Sequence, residues 1–337
     1  MLKLCRWCTA VATELTAHRR RQRRLSRPLL WFVCASVSLA TLIALASRWN
    51  WVAELFSHFR LHYLLAQGVL FIVFLNTRRY LWLLATLLLA LPNAWYVLPY
   101  LAPLVTAPAL AAPAAANPQI VTVNLNFRLR SPAQVIDYLQ KAQAEVIVLS
   151  EYTPAWAEVL EPALSAWPHR LSRPRTGPFG LAVFSRRPFV SAQDLPLGAS
   201  GSENLRLVLP LAGREIELYA VHLFPPTSPG RAAARNEQLA TLASLLAETP
   251  DRPRVVTGDF NLSPFSPYFS ALLQASGLTD ARKKQGLHIT WPASPLPLWI
   301  AIDHCLADPA AGVSHVQRGP DIGSDHFPLE ISLAAGS

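Results

Sequence analysis

Apolar positions along the chain fall into two regimes that meet near residue 118. Before it they form long unbroken stretches. Pro28 to Ser47 runs for 20 residues without a charge, Leu61 to Thr77 runs for 17, and Tyr80 to about Tyr100 is a third, rich in Leu and flanked by Trp82, Trp95 and Tyr96. A helix needs about 20 apolar residues, with a range of about 17–25, to cross a hydrocarbon core, and Trp and Tyr favour its two interfaces. Helices buried in a soluble bundle would keep a polar stripe. None of the three does, so the pattern predicts membrane spans at about 29–47, 61–77 and 80–100.

After residue 118 the runs shorten and alternate with amphipathic segments. Ile120–Leu125, Val146–Leu149, Leu181–Ser185, Leu205–Leu209, Glu215–His222, Val255–Val256, Ile300–Leu306 and Leu329–Leu333 read as strands. Val146–Leu149 is apolar throughout, as expected of a strand buried on both faces. Ser131-Pro132-Ala133-Gln134 predicts a capping box with Pro at the first helical position. Thr153-Pro154 starts a second helix, and Arg231–Ala247 reads as a long third. Many strands with helices between them predict a layered α/β (α+β) domain over 119–337, large enough to bury its own core. No internal repeat is visible.

Composition alters the picture through where the charge sits. The 337 residues are 52% hydrophobic and only 15% charged, against about 25% in soluble domains, with a formal net charge of +9. Residues 1–28 carry +7, residues 29–118 carry +3, and the domain 119–337 carries −1. The excess is therefore a topology signal: HRRRQRRLSR precedes the first span and Arg78-Arg79 separates the second from the third, which predicts a basic cytoplasmic N-terminus over 1–28. Three crossings then place the loop 48–60 and the domain on the outer face. The first apolar run exceeds a signal-peptide core and lacks a small-residue cleavage site, so a signal anchor is expected. Residues 103–118, with four prolines in 16 residues, predict a Pro/Ala linker reaching about 50 Å, which would hold the domain a short distance off the bilayer. Arg supplies 26 of the 30 basic residues, as in GC-rich bacterial genomes, pointing to a bacterial inner membrane. Cys5 and Cys8 form a C-x-x-C without a second ligand pair nearby.

The polar residues of interest cluster where strands stop. Asn124 closes the first strand, Glu151 follows VIVLS and His222 ends ELYAVH. Asp259 and Asn261 sit in VVTGDFN, Asp303-His304 in AIDHCLA and Asp325-His326 in GSDHFPL. Carboxylates, histidines and amides delivered to strand ends converge readily outside a sheet. Acidic oxygen donors suit a hard divalent cation such as Mg²⁺.

The ordered motifs VNLN, LSEYTPAW, AVHLFPP, TGDFNLSPFSP, IDHCLAD and GSDHFPL resemble those of the endonuclease/exonuclease/phosphatase superfamily, across about 119–335. The resemblance implies a four-layered αββα sandwich and metal-dependent hydrolysis of a phosphoester, with Mg²⁺ as cofactor and Mn²⁺ as a substitute. It implies Glu151 as principal metal ligand, with Asn124 and Asp325. Asp259 would position or deprotonate water, Asn261 would hold phosphoryl oxygens, and His326, oriented by Asp303, would contact the scissile phosphate. His222 matches a catalytic histidine of pancreatic-type nucleases and sphingomyelinases. Many relatives carry an acidic residue where this chain has Asn126, and His304 is expected to face the core. Arg186-Arg187 is either an anion contact or a solvated turn.

The expected function is a membrane-anchored phosphoesterase, with nucleic acid, lipid headgroups and small phosphoesters as candidate substrates. The partners are the bilayer and that substrate; no obligate protein partner is inferred. A domain of net charge −1 is poorly matched to duplex DNA. The alternative is a non-enzymatic membrane protein whose outer domain keeps the fold as a binding module. A transporter is disfavoured because the spans carry no charge.

Overall fold

The computed structural model describes residues 28–106, 119–199, 201–248, 251–283, 285–294 and 298–335. The basic segment before Pro28, with Cys5 and Cys8, and linker positions 107–118 lie outside the described residues.

Among the described residues, two helices are long and apolar enough to cross a membrane, Pro28–Leu45 (α1) and Tyr80–Leu101 within α4 (Tyr80–Thr106). The expected second span corresponds to α3 (Arg60–Asn76), which has 17 residues and is the longer arm of a pair bent by 58° against α2 (Trp51–Ser57). The structure thus has two clear candidate spans and a broken third. The physical reason is local: Asn50 caps α2 by accepting from the Val52 and Ala53 amides, so a new helix starts between the apolar runs.

The three long helices also hold a polar cluster that the apolar pattern conceals. Asn93 donates to Thr41 Oγ1 and Gln67 Oε1, both at 3.1 Å, and Gln67 donates to Thr41 at 3.2 Å. Arg60 donates to Asn93 at 3.2 Å and to the Ala44 carbonyl at 3.0 Å. Single polar residues set in apolar runs form no stripe, yet they meet at one level and act as interhelical glue.

The outer domain consists of two six-stranded sheets with helices on both outer faces. The first sheet is built from β1 (Ile120–Asn124), β2 (Val146–Ser150), β3 (His169–Arg173), β4 (Leu181–Ser185), β11 (Val313–Arg318) and β12 (Leu329–Leu333), in the order β11-β12-β1-β2-β4-β3. The second contains β5 (Ser191–Asp194), β6 (Leu205–Leu211), β7 (Arg214–His222), β8 (Arg254–Asp259), β9 (Thr279–Asp280) and β10 (Asp303–Ala307), in the order β5-β6-β7-β8-β10-β9. Each sheet has one parallel pair at its centre, β1 with β2 and β7 with β8, and antiparallel neighbours on either side. The sheets are topological copies without a sequence repeat.

Strand alternation builds the layers. Ile120, Val146, Val148, Leu218, Ala220 and Val255 face the inter-sheet core. Their neighbours Val121, Val123, Ile147 and Leu149 turn outward onto α5 (Pro132–Ala142) and α6 (Pro154–Ala163). Tyr219, Val221 and Val256 turn onto α7 (Pro229–Ala247) and α8 (Pro267–Ser276). This is the expected αββα sandwich. Thr153, Ser228 and Ser266 each cap a helix that begins with Pro. Ser131 does not: it is left-handed, with φ 49°, and makes no side-chain cap bond, so the capping box is absent although the helix begins at Pro132 as expected. The expected strand Ile300–Leu306 starts at Asp303, with Ile300 forming only a bridge to Trp291.

The domain does not stand off from the helices. Helix α4 continues to Thr106, into the stretch expected to be linker, and Val97 and Tyr100 share a core cluster with Phe265, Leu287 and Ala301 of the domain. Helix α2 is held more tightly. Its Glu54 is fully buried, paired with Arg235 on α7 and accepting from Ser266 Oγ at 2.7 Å, while His58 Nδ1 meets Ser263 Oγ at 2.9 Å. Burying charge is tolerable only with such full pairing.

Candidate active site

Carboxyl ends of parallel strands in an open sheet gather polar side chains at one edge. Here both parallel pairs deliver theirs to the same place. Asn124 ends β1 and Glu151 follows β2; His222 and Asp259 end β7 and β8 and lie opposite one another in register. Asp303 starts the antiparallel β10 directly across from Asp259. Asp325 and His326 arrive on the loop before β12. The close passage of β8 against β7 just before Asp259 depends on Gly258, whose φ is 137°; a Cβ there would sit 1.9 Å from the Val221 carbonyl oxygen.

The side chains form one connected network. Asp259 Oδ2 accepts from Asn124 Nδ2 at 3.0 Å, and its Oδ1 accepts from the Asn261 amide at 2.8 Å. The same Asn124 amide donates to Glu151 Oε1 at 3.2 Å, while its own oxygen accepts from the Asn126 backbone. Asn124 therefore bridges two carboxylates with its NH₂ group. Glu151 Oε2 accepts from the Phe127 amide at 2.7 Å. His326 Nδ1 pairs with Asp303 Oδ2 at 2.9 Å, which leaves Nε2 3.8 Å from Asp259 Oδ2; His222 Nε2 lies 3.7 Å from that same oxygen.

Burial and neighbouring charge separate these groups. For His326, burial works against the charge, but the Asp303 carboxylate, helped by Asp259 and Asp325, lifts it to about 10. For Asp259, burial and then the charge of Asp303 raise it to about 7. Burial, reinforced by His326, pushes His222 down to about 4. Glu151 is raised by burial. The site thus pairs a histidine held protonated with a carboxyl poised near neutrality, the kind of divergence on which acid–base chemistry depends.

Three non-glycine residues here have left-handed backbone: Asn126 at φ 60°, Glu151 at 58° and Asn261 at 52°. Such strain concentrates at functional sites. Local bonds hold it, since Asn126 donates to Asp325 Oδ1 at 2.9 Å and its carbonyl accepts from Trp156 Nε1 at 2.9 Å.

Glu151, His222, Asp259, Asn261, Asp325 and His326 all line one cleft of about 560 Å³. Asn124 and Asp303 stand behind it as partners of Asp259 and His326. The side wall is apolar: Phe179, Pro225, Ile300 and Ile302, together with Trp51 and Leu55 of α2. Asn126, expected only as a departure from an acidic position, is tied to Asp325, whereas α2 enters the cleft unforeseen; its signal was a lone Glu54 flanked by aromatics between two apolar runs. His304 faces the core as expected, between Phe260 and Phe269, with Nε2 2.7 Å from the Leu262 carbonyl. Arg186 covers the Trp167 ring and Arg187 pairs with Glu145, so neither reaches the cleft.

The donor set fits a hard divalent cation. The Glu151 and Asp325 carboxylates open onto the cleft and offer the oxygen donors such an ion takes, beside Asp259, Asp303 and His326, whose ligand atoms all lie within 4.8 Å of one another.

A profile of the Endonuclease/Exonuclease/phosphatase family matches residues 121–326. No curated protein matches the chain. Solved structures with a similar fold include a humanized D. rerio TDP2 carrying 14 mutations, with TM-score 0.53 and 17% identity, covering 63% of this chain and 96% of that one. A functionally unknown conserved protein from Enterococcus faecalis V583 gives TM-score 0.52 at 18% identity, covering 64% and 99%. The 3'-5' exonuclease NExo from Neisseria meningitidis gives 0.51 at 21%, covering 64% and 99%.

Proposed function

The chain belongs to the Endonuclease/Exonuclease/phosphatase family, and from that premise we propose that it is a membrane-held, metal-dependent hydrolase of phosphoesters in which Asp259, Asp303 and His326 direct the attack of water. The observation that carries this reading is the row Asp303–His326–Asp259 at the cleft, with Glu151 and Asp325 beside it.

The reaction forms a bond from water oxygen to phosphorus and breaks the bond from phosphorus to the leaving oxygen. Asp259, poised at about 7, takes the proton from water. His326, protonated up to about 10, stabilises a phosphoryl oxygen or returns a proton to the leaving oxygen. Asp303 fixes the His326 ring through Nδ1, which aims Nε2 toward the cleft. His222, neutral at pH 7, adds a ring nitrogen without adding charge, and Asn261, whose Nδ2 donates to the Leu223 carbonyl at 2.8 Å, lines the cleft where its second N–H would meet a phosphoryl oxygen. A bound Mg²⁺, or Mn²⁺ in its place, would supply positive charge for the phosphoryl oxygens and lower the pKa of a water on it. Glu151 and Asp325 would hold it, while the Asn124 NH₂ group keeps the Glu151 and Asp259 carboxylates in place.

Contact between α2 and the domain supports the membrane arrangement. Both lie on one face, so the chain between them, α3 and α4, crosses the bilayer twice or not at all. With α1 crossing as well, the total is three, and Arg78-Arg79 falls on the same side as the basic N-terminus. The catalytic domain then lies on the outer, extracytoplasmic face.

The test is hydrolysis by the full-length protein in detergent micelles, using bis(4-nitrophenyl) phosphate with Mg²⁺ or Mn²⁺. We expect turnover that stops in EDTA, returns on adding metal and is lost in Asp259→Asn. Folded protein that is inert toward this diester and toward 4-nitrophenyl phosphate would defeat the reading.

A further inference from the structure

Resting on the hydrolase reading above, we infer that the substrate is an amphiphile of the bilayer, a phosphoester whose apolar portion lies against Trp51 and Leu55 of α2. These side chains come from outside the family domain, which begins beyond residue 118, and they complete one wall of the catalytic cleft.

Four observations converge on this assignment. First, α2 lies between α1 and α3, and on the three-span arrangement proposed above the wall it supplies is at the membrane surface. On the same segment Trp49 is 77% exposed and Val52 43%, in keeping with an element resting in the interfacial layer. Second, the cleft wall is apolar, and none of the described residues lining it is Lys or Arg. Nucleic acid binding draws its affinity from cationic side chains on phosphates, and the domain has eighteen Lys and Arg against nineteen Asp and Glu. Third, the wall is fixed in place. Glu54 is locked to Arg235 and Ser266, and His58 to Ser263, with all five side chains buried. Fourth, these anchors continue directly into the catalytic turn. Arg235 reaches the Asn261 carbonyl at 3.5 Å, and Ser263 follows Asn261 by two residues. A substrate entering from the lipid surface therefore meets Trp51 and Leu55 on the way to Asp259 and His326. A water-soluble polyanion would meet the same apolar wall with no Lys or Arg among its described lining residues, and with Arg231, over the Phe179 ring at 5.8 Å, as a flanking cation.

The experiment uses the full-length protein in one detergent and a series of alkyl 4-nitrophenyl phosphates, from methyl to hexadecyl. Leaving group and phosphorus chemistry are constant, and only the tail changes. A single-stranded DNA oligonucleotide serves as the competing substrate. We expect kcat/KM to rise at least about tenfold from methyl to hexadecyl, in line with what apolar pockets achieve. We expect that ratio to fall toward one in Trp51→Ala/Leu55→Ala and to recover in the conservative Trp51→Phe. Partition into the micelle raises the ratio equally in every variant, and a merely structural defect lowers both rates together, so the ratio between proteins is decisive. A flat chain-length profile, a ratio unmoved by the substitutions, or preferential cleavage of DNA overturns the inference. Failure to hydrolyse any ester of the series, hexadecyl included, would instead defeat the hydrolase reading beneath it.

Discussion

Two of the polar clusters buried among the described residues are built on opposite terms. In the helical bundle, Thr41, Gln67 and Asn93 are neutral and bonded to one another, with Arg60 spending its guanidinium on Asn93 and a backbone carbonyl. At the domain edge, Asp259, His222 and His326 are ionisable, crowded and open to a cleft, with Asp303 behind His326. The first arrangement turns its donors inward, with the Arg60 Nε alone left over among them, and holds helices together. The second leaves charge and acid–base capacity directed at whatever enters. Burial of polar groups alone does not separate glue from chemistry; the direction in which unused capacity points does. Glu54 and Arg235 belong to the glue type, yet they join α2 to the catalytic turn and so link the two regions.

Substitutions can break this contrast, and the largest effect belongs to the cleft. Asp259→Asn should lower kcat by about 10²–10⁴-fold, the usual range for a positioned acid or base, with little change in thermal midpoint. Equal losses of stability and activity would place Asp259 with the glue. Glu54→Ala comes next. It strands the buried Arg235, which should cost about 3–5 kcal/mol, read as a lowered denaturation midpoint of the full-length protein in detergent. Asp303→Asn should act mainly on pH dependence. Asp303 is what lifts His326 to about 10, so its loss lowers that value, and the alkaline limb of kcat moves to lower pH. Linkage runs the same way. The raised histidine contributes stability below its ordinary value near 6.5, and that stability fades as pH rises toward about 10; the variant should lose this dependence. Asn93→Leu should be smallest, about 1–2 kcal/mol of bundle stability, with kcat unchanged.

Much of the catalytic edge was legible in the chain because strand ends are. Asn124, Glu151, His222 and Asp259 each follow an apolar run, and parallel pairing carries those ends to one edge. The edge strands were less visible. His169–Arg173 and Ser191–Asp194 are polar and half-exposed or exposed, so the core wrote no hydrophobic pattern into them. Helix α8 was hidden behind Ser266-Pro267, a cap inside a run that also reads as a turn. Asn124 was expected to ligate metal. In the structure its NH₂ group bridges Glu151 and Asp259, an orientation imposed by the Asn126 amide and visible only in three dimensions. The docking of α2 was illegible for a similar reason. Glu54 is one carboxylate in a short loop, and its partner Arg235 lies 181 residues away. The expected stand-off of the domain failed with it, since α2 and α4 both pack on the domain.

The central claim is that the Asp259–His326–Asp303 row performs metal-assisted hydrolysis. Its most direct test is the rate of methyl 4-nitrophenyl phosphate hydrolysis by the full-length protein, measured with Mg²⁺, after EDTA, after Mg²⁺ is restored, and in Asp259→Asn. The account predicts turnover that vanishes with chelation, returns with metal and is lost in the variant. An undiminished rate in EDTA or in Asp259→Asn would contradict it.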